Sequence, residues 1–196
     1  MNNPLLIPII GPKEVGKSTF TTQFIFSQFI EEYDPTIESY RKQIEIDNEI
    51  LIVELYDFYQ NDYLIYGFTK EVYKQSHGFV LIYSIIDRNS FNRLQDYLKE
   101  IYLIKNSDDF PIIIVGNKND VENLRQVKKE EGEEFAFKNG CPFFEISTKA
   151  RYNIDETIIT LLREIRKYPF DSKSNSNSKI KFKFKFKIKF KIKFKF

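Results

Sequence analysis

Apolar positions along this chain follow two periods, and the switches between them mark its elements. Leu5–Ile10 is a short continuous apolar run and reads as a strand, and Lys17–Phe29 carries helical spacing. Ser39–Ile46 and Ile50–Tyr56 flank Asp47-Asn48, the signature of a hairpin. Phe79–Ile85 and Pro111–Val115 are continuous apolar runs suited to strands buried on both faces. Between them, Asn89 or Ser90 can cap a helix bearing Leu94, Leu98, Ile101 and Ile104. Val127–Lys138 predicts a further helix stopped by Asn139-Gly140, and Pro142 introduces a last strand, Phe143–Ile146. Asp155–Lys167 closes the pattern as an amphipathic helix with Ile158, Leu161, Leu162 and Ile165 inward. The alternation predicts an α/β fold: a mostly parallel six-stranded sheet with one antiparallel edge strand and helices on both faces. Ligands of such sheets sit at the carboxyl ends of the strands.

Composition adds a boundary. The 196 residues carry a net charge of +2, but residues 179–196 alone hold nine lysines and no acid. The remaining 178 residues therefore hold 21 basic and 28 acidic side chains, a net −7. Residues 1–170 read as one domain, 171–178 as a polar linker and 179–196 as a basic low-complexity tail. A single cysteine, Cys141, leaves no disulfide framework and favours a reducing, cytoplasmic setting. No signal peptide and no apolar run of membrane-spanning length is evident.

The chemistry starts after the first strand. Gly11-Pro12-Lys13-Glu14-Val15-Gly16-Lys17-Ser18-Thr19 fits G-x-x-x-x-G-K-S between a strand and a helix, the context a phosphate-binding loop requires. Backbone N–H groups of such a loop converge on phosphate oxygens, and the following helix start adds its positive dipole end. Lys17 would reach the terminal phosphates, and the Ser18 hydroxyl would ligate Mg²⁺. Asn117-Lys118-Asn119-Asp120 follows a predicted strand. A carboxylate there can accept two hydrogen bonds from the N1–H and amino group of guanine, a pairing adenine cannot offer. Ser147-Thr148-Lys149, after the last strand, would close the base pocket from the other side. His77 has no evident nucleophile partner and reads as structural.

Taken in order, these motifs resemble the Ras family of small GTPases over about residues 5–168. The segment Ile30 to Gln43 resembles that family's effector loop. The resemblance implies a P-loop NTPase fold binding GTP or GDP with Mg²⁺ and acting as a signalling switch. It implies that Phe29 packs on the guanine, that Thr36 binds Mg²⁺ and senses the γ-phosphate, and that Asp57 holds Mg²⁺ through water. Asn117 and Asp120 would read guanine, with Lys118 and Lys149 flanking it. Lys17, Thr36 and a water-orienting Gln60 would serve hydrolysis. Effector proteins would engage Tyr33–Gln43, and an exchange factor and a GTPase-activating protein would act on the switch.

The chain departs from the family where the chemistry occurs. Lys13 and Glu14 stand where small residues are usual, beside the γ-phosphate and the attacking water. The family's Asp-x-x-Gly-Gln appears as Asp57-Phe58-Tyr59-Gln60-Asn61-Asp62, without the glycine whose N–H meets the γ-phosphate. A one-residue deletion makes Gln60 the water-orienting residue; without it Asn61 takes that place. The deletion is preferred because it aligns Asn61-Asp62-Tyr63 with the family's acidic-acidic-Tyr run. Hydrolysis is therefore expected to be slow, with a non-hydrolysing, GTP-bound interaction module as the alternative. A residue is missing between Glu38 and Ser39, so effector specificity does not carry over. Pro8 removes a ladder donor from a central strand, and Thr148, replacing the usual Ala, is expected to loosen the guanine pocket.

In the tail, lysine alternates with Ile or Phe from Lys179 to Phe196. An extended ribbon of this kind would put lysines on one side and apolar groups on the other. It suits an anionic membrane, which would place the protein at the inner face, although no prenylation motif is present. A neutral repeat expansion is the favoured reading ahead of the membrane, and single-stranded nucleic acid is the least favoured partner.

Overall fold

The computed structural model describes residues 3–27, 39–57 and 66–168. Among the described residues six strands form one sheet: β1 Leu5–Ile10, β2 Ser39–Ile46, β3 Glu49–Asp57, β4 Phe79–Ser84, β5 Ile112–Asn117 and β6 Phe143–Glu145. Their order is β2-β3-β1-β4-β5-β6. Among these six strands only the β2–β3 pair is antiparallel. The helices are α1 Lys17–Phe26, α2 Tyr66–Gln75, α3 Arg88–Asn92, α4 Leu94–Lys105, α5 Lys129–Lys138 and α6 Ile154–Arg166. This is the expected α/β sheet with β2 at an antiparallel edge.

Strand alternation divides the core between the two sheet faces. Ile7, Ile9, Val53, Leu55, Val80 and Ile82 pack with Phe20 and Phe24 of α1 and Ile158, Leu161, Leu162 and Ile165 of α6. Ile10, Phe79, Leu81 and Tyr83 pack on the opposite side with Leu94, Leu98 and Ile101 of α4. Both sides of β4 are thus apolar, which is why its sequence shows no polar alternation. Gly78, just before β4, lets α6 approach: a Cβ there would lie 2.9 Å from Ile165 Cδ1. The hairpin turn places Asp47 and Asn48 at φ 52° and 65°, as a tight two-residue connection demands. Arg163 and Arg166 of α6 each reach the Asp47 carboxylate at 3.0 Å, pinning the turn to the last helix.

Several boundaries move for local reasons. α1 is described to Phe26, where Ser27 turns left-handed and its N–H caps the Gln23 carbonyl; Phe29 lies outside the described residues. The helix after β4 is capped by neither Asn89 nor Ser90. Asp87 accepts the Asn89 N–H, while the Ser90 hydroxyl accepts from Ser84 N–H at the end of β4. A kink at Arg93 then separates α3 from α4. α5 starts at Lys129, not Val127, because the Val127 N–H bonds the Ile85 carbonyl and its side chain is buried. The pattern also passed over α2, where Val72 and Tyr73 are buried, and a 3₁₀ turn at Asn119–Leu124.

Pro8 is accommodated by register. The β1–β4 ladder begins only at Ile9–Val80. Below it, His77 N–H donates to the Leu6 carbonyl and His77 Nδ1 accepts the Leu6 N–H at 3.1 Å. By alternation Pro8's nitrogen faces this same side, beneath the first rung, so no rung of that ladder loses a donor. His77 is structural, as expected, and must stay neutral at Nδ1. Burial, then the neighbouring Lys105 charge, pushes its pKa down to about 4. The unfolded chain binds a proton near pH 6.5 that the folded chain refuses. Stability should therefore fall as pH drops from about 6.5 towards about 4. His77→Gln keeps an acceptor for Leu6 and is expected to flatten that fall, read as urea midpoints of the two proteins across the window. Parallel pH profiles would contradict this assignment.

Candidate functional site

The loop between β1 and α1 is shaped by two glycines. Gly11 lies against β4, where a Cβ would sit 2.1 Å from the Ile82 carbonyl. Gly16 has φ 97° and immediately precedes α1, so the helix starts with its free N–H groups directed at the loop. Glu14 takes φ 64° without being glycine, a conformation that costs a side-chain-bearing residue about 1 kcal/mol or more. Lys17 Nζ donates to the carbonyls of Gly11 at 3.0 Å and Pro12 at 2.8 Å. Burial lowers its pKa, opposed by the Asp57 carboxylate and reinforced by the Lys13 charge. The ammonium has three donors, so one remains to point at an anion.

A second group of residues closes the site from the ends of β5 and β6. Asn117, fully buried, donates through Nδ2 to the Val15 carbonyl at 2.7 Å and to Thr148 Oγ1 at 3.1 Å. Its Oδ1 accepts the Thr148 N–H at 3.0 Å. One amide thus ties the phosphate loop, β5 and the segment after β6 together. Ser147 Oγ donates to Asp120 Oδ1 at 2.6 Å and accepts the Ala150 N–H at 2.9 Å. That fixes the carboxylate of the exposed Asp120 by a buried hydroxyl. The Thr148 hydroxyl adds a tie to Asn117.

These elements enclose a cavity of about 600 Å³, within the size range of small-molecule sites. Lys13, Glu14, Gly16, Lys17, Ser18 and Thr19 line one part of it, with Asp57 at the end of β3. Lys118, Asp120, Thr148 and Lys149 line the other. Gly11, Pro12, Val15, Asn117 and Ser147 stand behind this lining as its supports. Ile86 and Val121 also line the cavity and were missed by motif reading. Ile86 follows the carboxyl end of β4, where the sheet-end rule alone would have pointed.

Ser18 and the buried Asp57 contribute hard oxygen donors to one cavity, the donor type Mg²⁺ takes. Among the described residues there is no group of three or more His, Cys, Asp or Glu side chains that could hold a metal on its own. This suits an ion completed by phosphate and water. Thr36, Gln60 and Phe29, and the Tyr33–Glu38 part of the effector segment, lie outside the described residues. Its remaining part, Ser39–Gln43, lies in the outer strand β2. There Ser39 and Arg41 both bind the buried Glu54, each at 2.9 Å.

Comparison with known proteins agrees with this arrangement. The family model described as "Ras family" matches residues 6–167. "Ras-like protein 1" of Saccharomyces cerevisiae is 44% identical over 162 residues, covering 82% of this chain and 52% of the yeast protein. "Ras-like protein" of Laccaria bicolor is 43% identical over 162 residues, covering 82% of this chain and 77% of that protein. The chain thus spans about half the length of the yeast relative. With the phosphate loop, Asp57, Asn117 and Asp120 gathered on one sheet end and a family match across nearly the whole described body, the chain belongs to the Ras family of small GTPases.

Proposed function

We propose that this protein is a guanine-nucleotide switch that binds GTP and GDP with Mg²⁺ and hydrolyses GTP slowly. The observation that carries the reading is the single cavity shared by Lys17, Asp57 and Asp120. Lys17 and the N–H groups at the start of α1 would hold the phosphates, while Asp120, fixed by Ser147, accepts the two guanine donors. Ser18, Asp57 and Thr36 would hold Mg²⁺, which supplies charge neutralisation across the phosphates when bound. In hydrolysis a water oxygen bonds the γ-phosphorus in line as the bond to the β–γ bridging oxygen breaks. Gln60 would orient that water, and Phe29 would cover the base. Identifying the nucleotide that co-purifies with the chain tests the binding half; protein free of guanine nucleotide and unable to take up GTP with Mg²⁺ would refute it.

The slow rate follows from Lys13 and Glu14, both exposed at the cavity. Their side chains occupy the approach of the water and of any activating arginine, and the Glu14 carboxylate repels the γ-phosphate charge. Lys13→Gly/Glu14→Gly is expected to raise single-turnover hydrolysis by about tenfold, equivalent to about 1.4 kcal/mol of barrier. It should leave GTP affinity nearly unchanged. Equal rates in the two proteins would move the cause to the segment after Asp57. A chain that holds GTP with no turnover, with or without a partner, would instead be a GTP-bound interaction module. Effectors would bind through Tyr33–Gln43, and exchange and activating factors at the cavity mouth. The tail would favour a cytoplasmic protein resting at the inner face of a membrane. Among the described residues no helix is long and apolar enough to cross one.

A further inference from the structure

A second cavity, of about 370 Å³, opens at the amino ends of β5 and β6, across the sheet from the nucleotide cavity. Its floor is apolar, with Phe110 and Tyr102 in edge-to-face contact at 5.7 Å and Tyr168 beside them. Asp108, Asp109 and Glu164 line it, and no basic side chain does. Glu164 also pairs with the exposed Lys167 at 2.6 Å, and Asp109 bonds the Tyr168 hydroxyl. Lys105 faces the Phe110 ring at 5.8 Å but is anchored to the Lys74 and Ser76 carbonyls. The outcome is an aromatic floor with an acidic rim on a face that the nucleotide cavity does not use.

Tyr168 is also where the described chain ends, and 28 residues follow it. Ten of them, 169–178, precede the first lysine of the repeat. Ten residues reach at most about 33 Å. Lys179 and the residues after it can therefore return to a cavity whose own wall includes Tyr168. The repeat is the chemical complement of that cavity. Its Phe and Ile side chains match the aromatic floor, and neighbouring lysines, on long stems, match carboxylates at the rim. Nine apolar positions offer nine equivalent ways to fill one cavity, and tethering keeps their local concentration in the millimolar range.

We infer that residues 179–196 dock in cis on this acidic aromatic cavity, one Phe or Ile on the floor and flanking lysines on Asp108, Asp109 and Glu164. The docked tail is withheld from anionic surfaces while the nucleotide cavity stays open. Ionic strength weakens the contact, since its charged half lies at the surface.

Zero-length carbodiimide coupling of the full chain tests this, because it joins only lysines and carboxylates already in contact. At low salt, amide links should connect lysines of 179–196 to Asp108, Asp109 or Glu164. In an equal mixture of isotopically light and heavy protein they should stay within one chain. Asp108→Asn/Asp109→Asn/Glu164→Gln should lose these links and sediment more readily with phosphatidylserine vesicles. The single thiol, Cys141, also lines this cavity and gives a readout free of the substitutions. Its alkylation should speed up when salt is raised and the tail released. Links scattered over the acidic surface, links mainly between light and heavy chains, or thiol alkylation indifferent to salt would each overturn the assignment. So would a tail that sediments with vesicles equally well in both proteins.

Discussion

Asn117→Ala is expected to lower stability by about 3 kcal/mol, which for a domain of this size lowers the Tm by roughly 6–12 °C. The size follows from what the amide leaves behind. Its removal strands the Val15 carbonyl, the Thr148 N–H and one Thr148 hydroxyl bond among buried residues. A buried donor or acceptor without a partner costs about 1–3 kcal/mol. The same amide holds the phosphate loop against the segment after β6, so in the proposed switch those loops would have to be ordered by the nucleotide itself. That ordering cost comes out of binding, and each 1.4 kcal/mol costs tenfold in affinity. Thermal melts with and without added GTP separate the two effects, because ligand stabilisation scales with affinity. Asn117→Asp is the sharper control. It keeps an acceptor for Thr148 N–H, and one for the Thr148 hydroxyl once that rotates, but sets a carboxylate against the Val15 carbonyl. It should destabilise as much as Ala or more; full stability in either variant would remove the amide from its proposed place in the fold.

The phosphate loop was legible in the sequence because its chemistry is local. Gly11 to Ser18 are contiguous, and strand, loop and helix follow one another within some twenty residues. Asp120 was legible for the same reason, as part of a short run after a strand. Asn117 was harder. Its motif suggested contact with guanine, and its amide also bonds Val15 and Thr148, 102 and 31 residues away in sequence. No pattern along the chain reveals such a partner, because the sheet order, not the spacing, brings them together. The same holds for Asp87 against Asn89 and Ser90. Either of the latter is a fair cap by type, but the Ser90 hydroxyl is taken by the end of β4. The helix α2 escaped because aromatic and β-branched residues such as Tyr66, Val72 and Tyr73 favour strands locally. Burial of Val72 and Tyr73 against the sheet overrides that preference. The acidic cavity at the opposite end was invisible for a further reason: its carboxylates come from the β5 approach and from α6, more than fifty residues apart.

Gly16→Ala should be still more damaging to nucleotide binding than Asn117→Ala. At φ 97° a Cβ is strained wherever it points, at about 1–3 kcal/mol. Here it points at Asn117 Nδ2, only 2.3 Å away, and at Thr148 Oγ1, 3.3 Å away. Forcing the amide aside adds an overpacking cost of similar size, so roughly 2–6 kcal/mol in all is expected. Residue 16 also leads directly into α1, so the phosphate cradle is bent where it must fit. GTP affinity should fall by about a hundredfold or more, the equivalent of about 2.8 kcal/mol. The two substitutions share one cause, which makes their combination informative. In an Asn117→Ala background the clashing amide is gone, and only the backbone strain and the longer approach to Thr148 remain. Gly16→Ala should then cost about 1–3 kcal/mol less than it does alone. Urea midpoints of the two single variants and the double variant measure that coupling directly. Additive losses would mean that the Asn117 amide is not what the glycine makes room for.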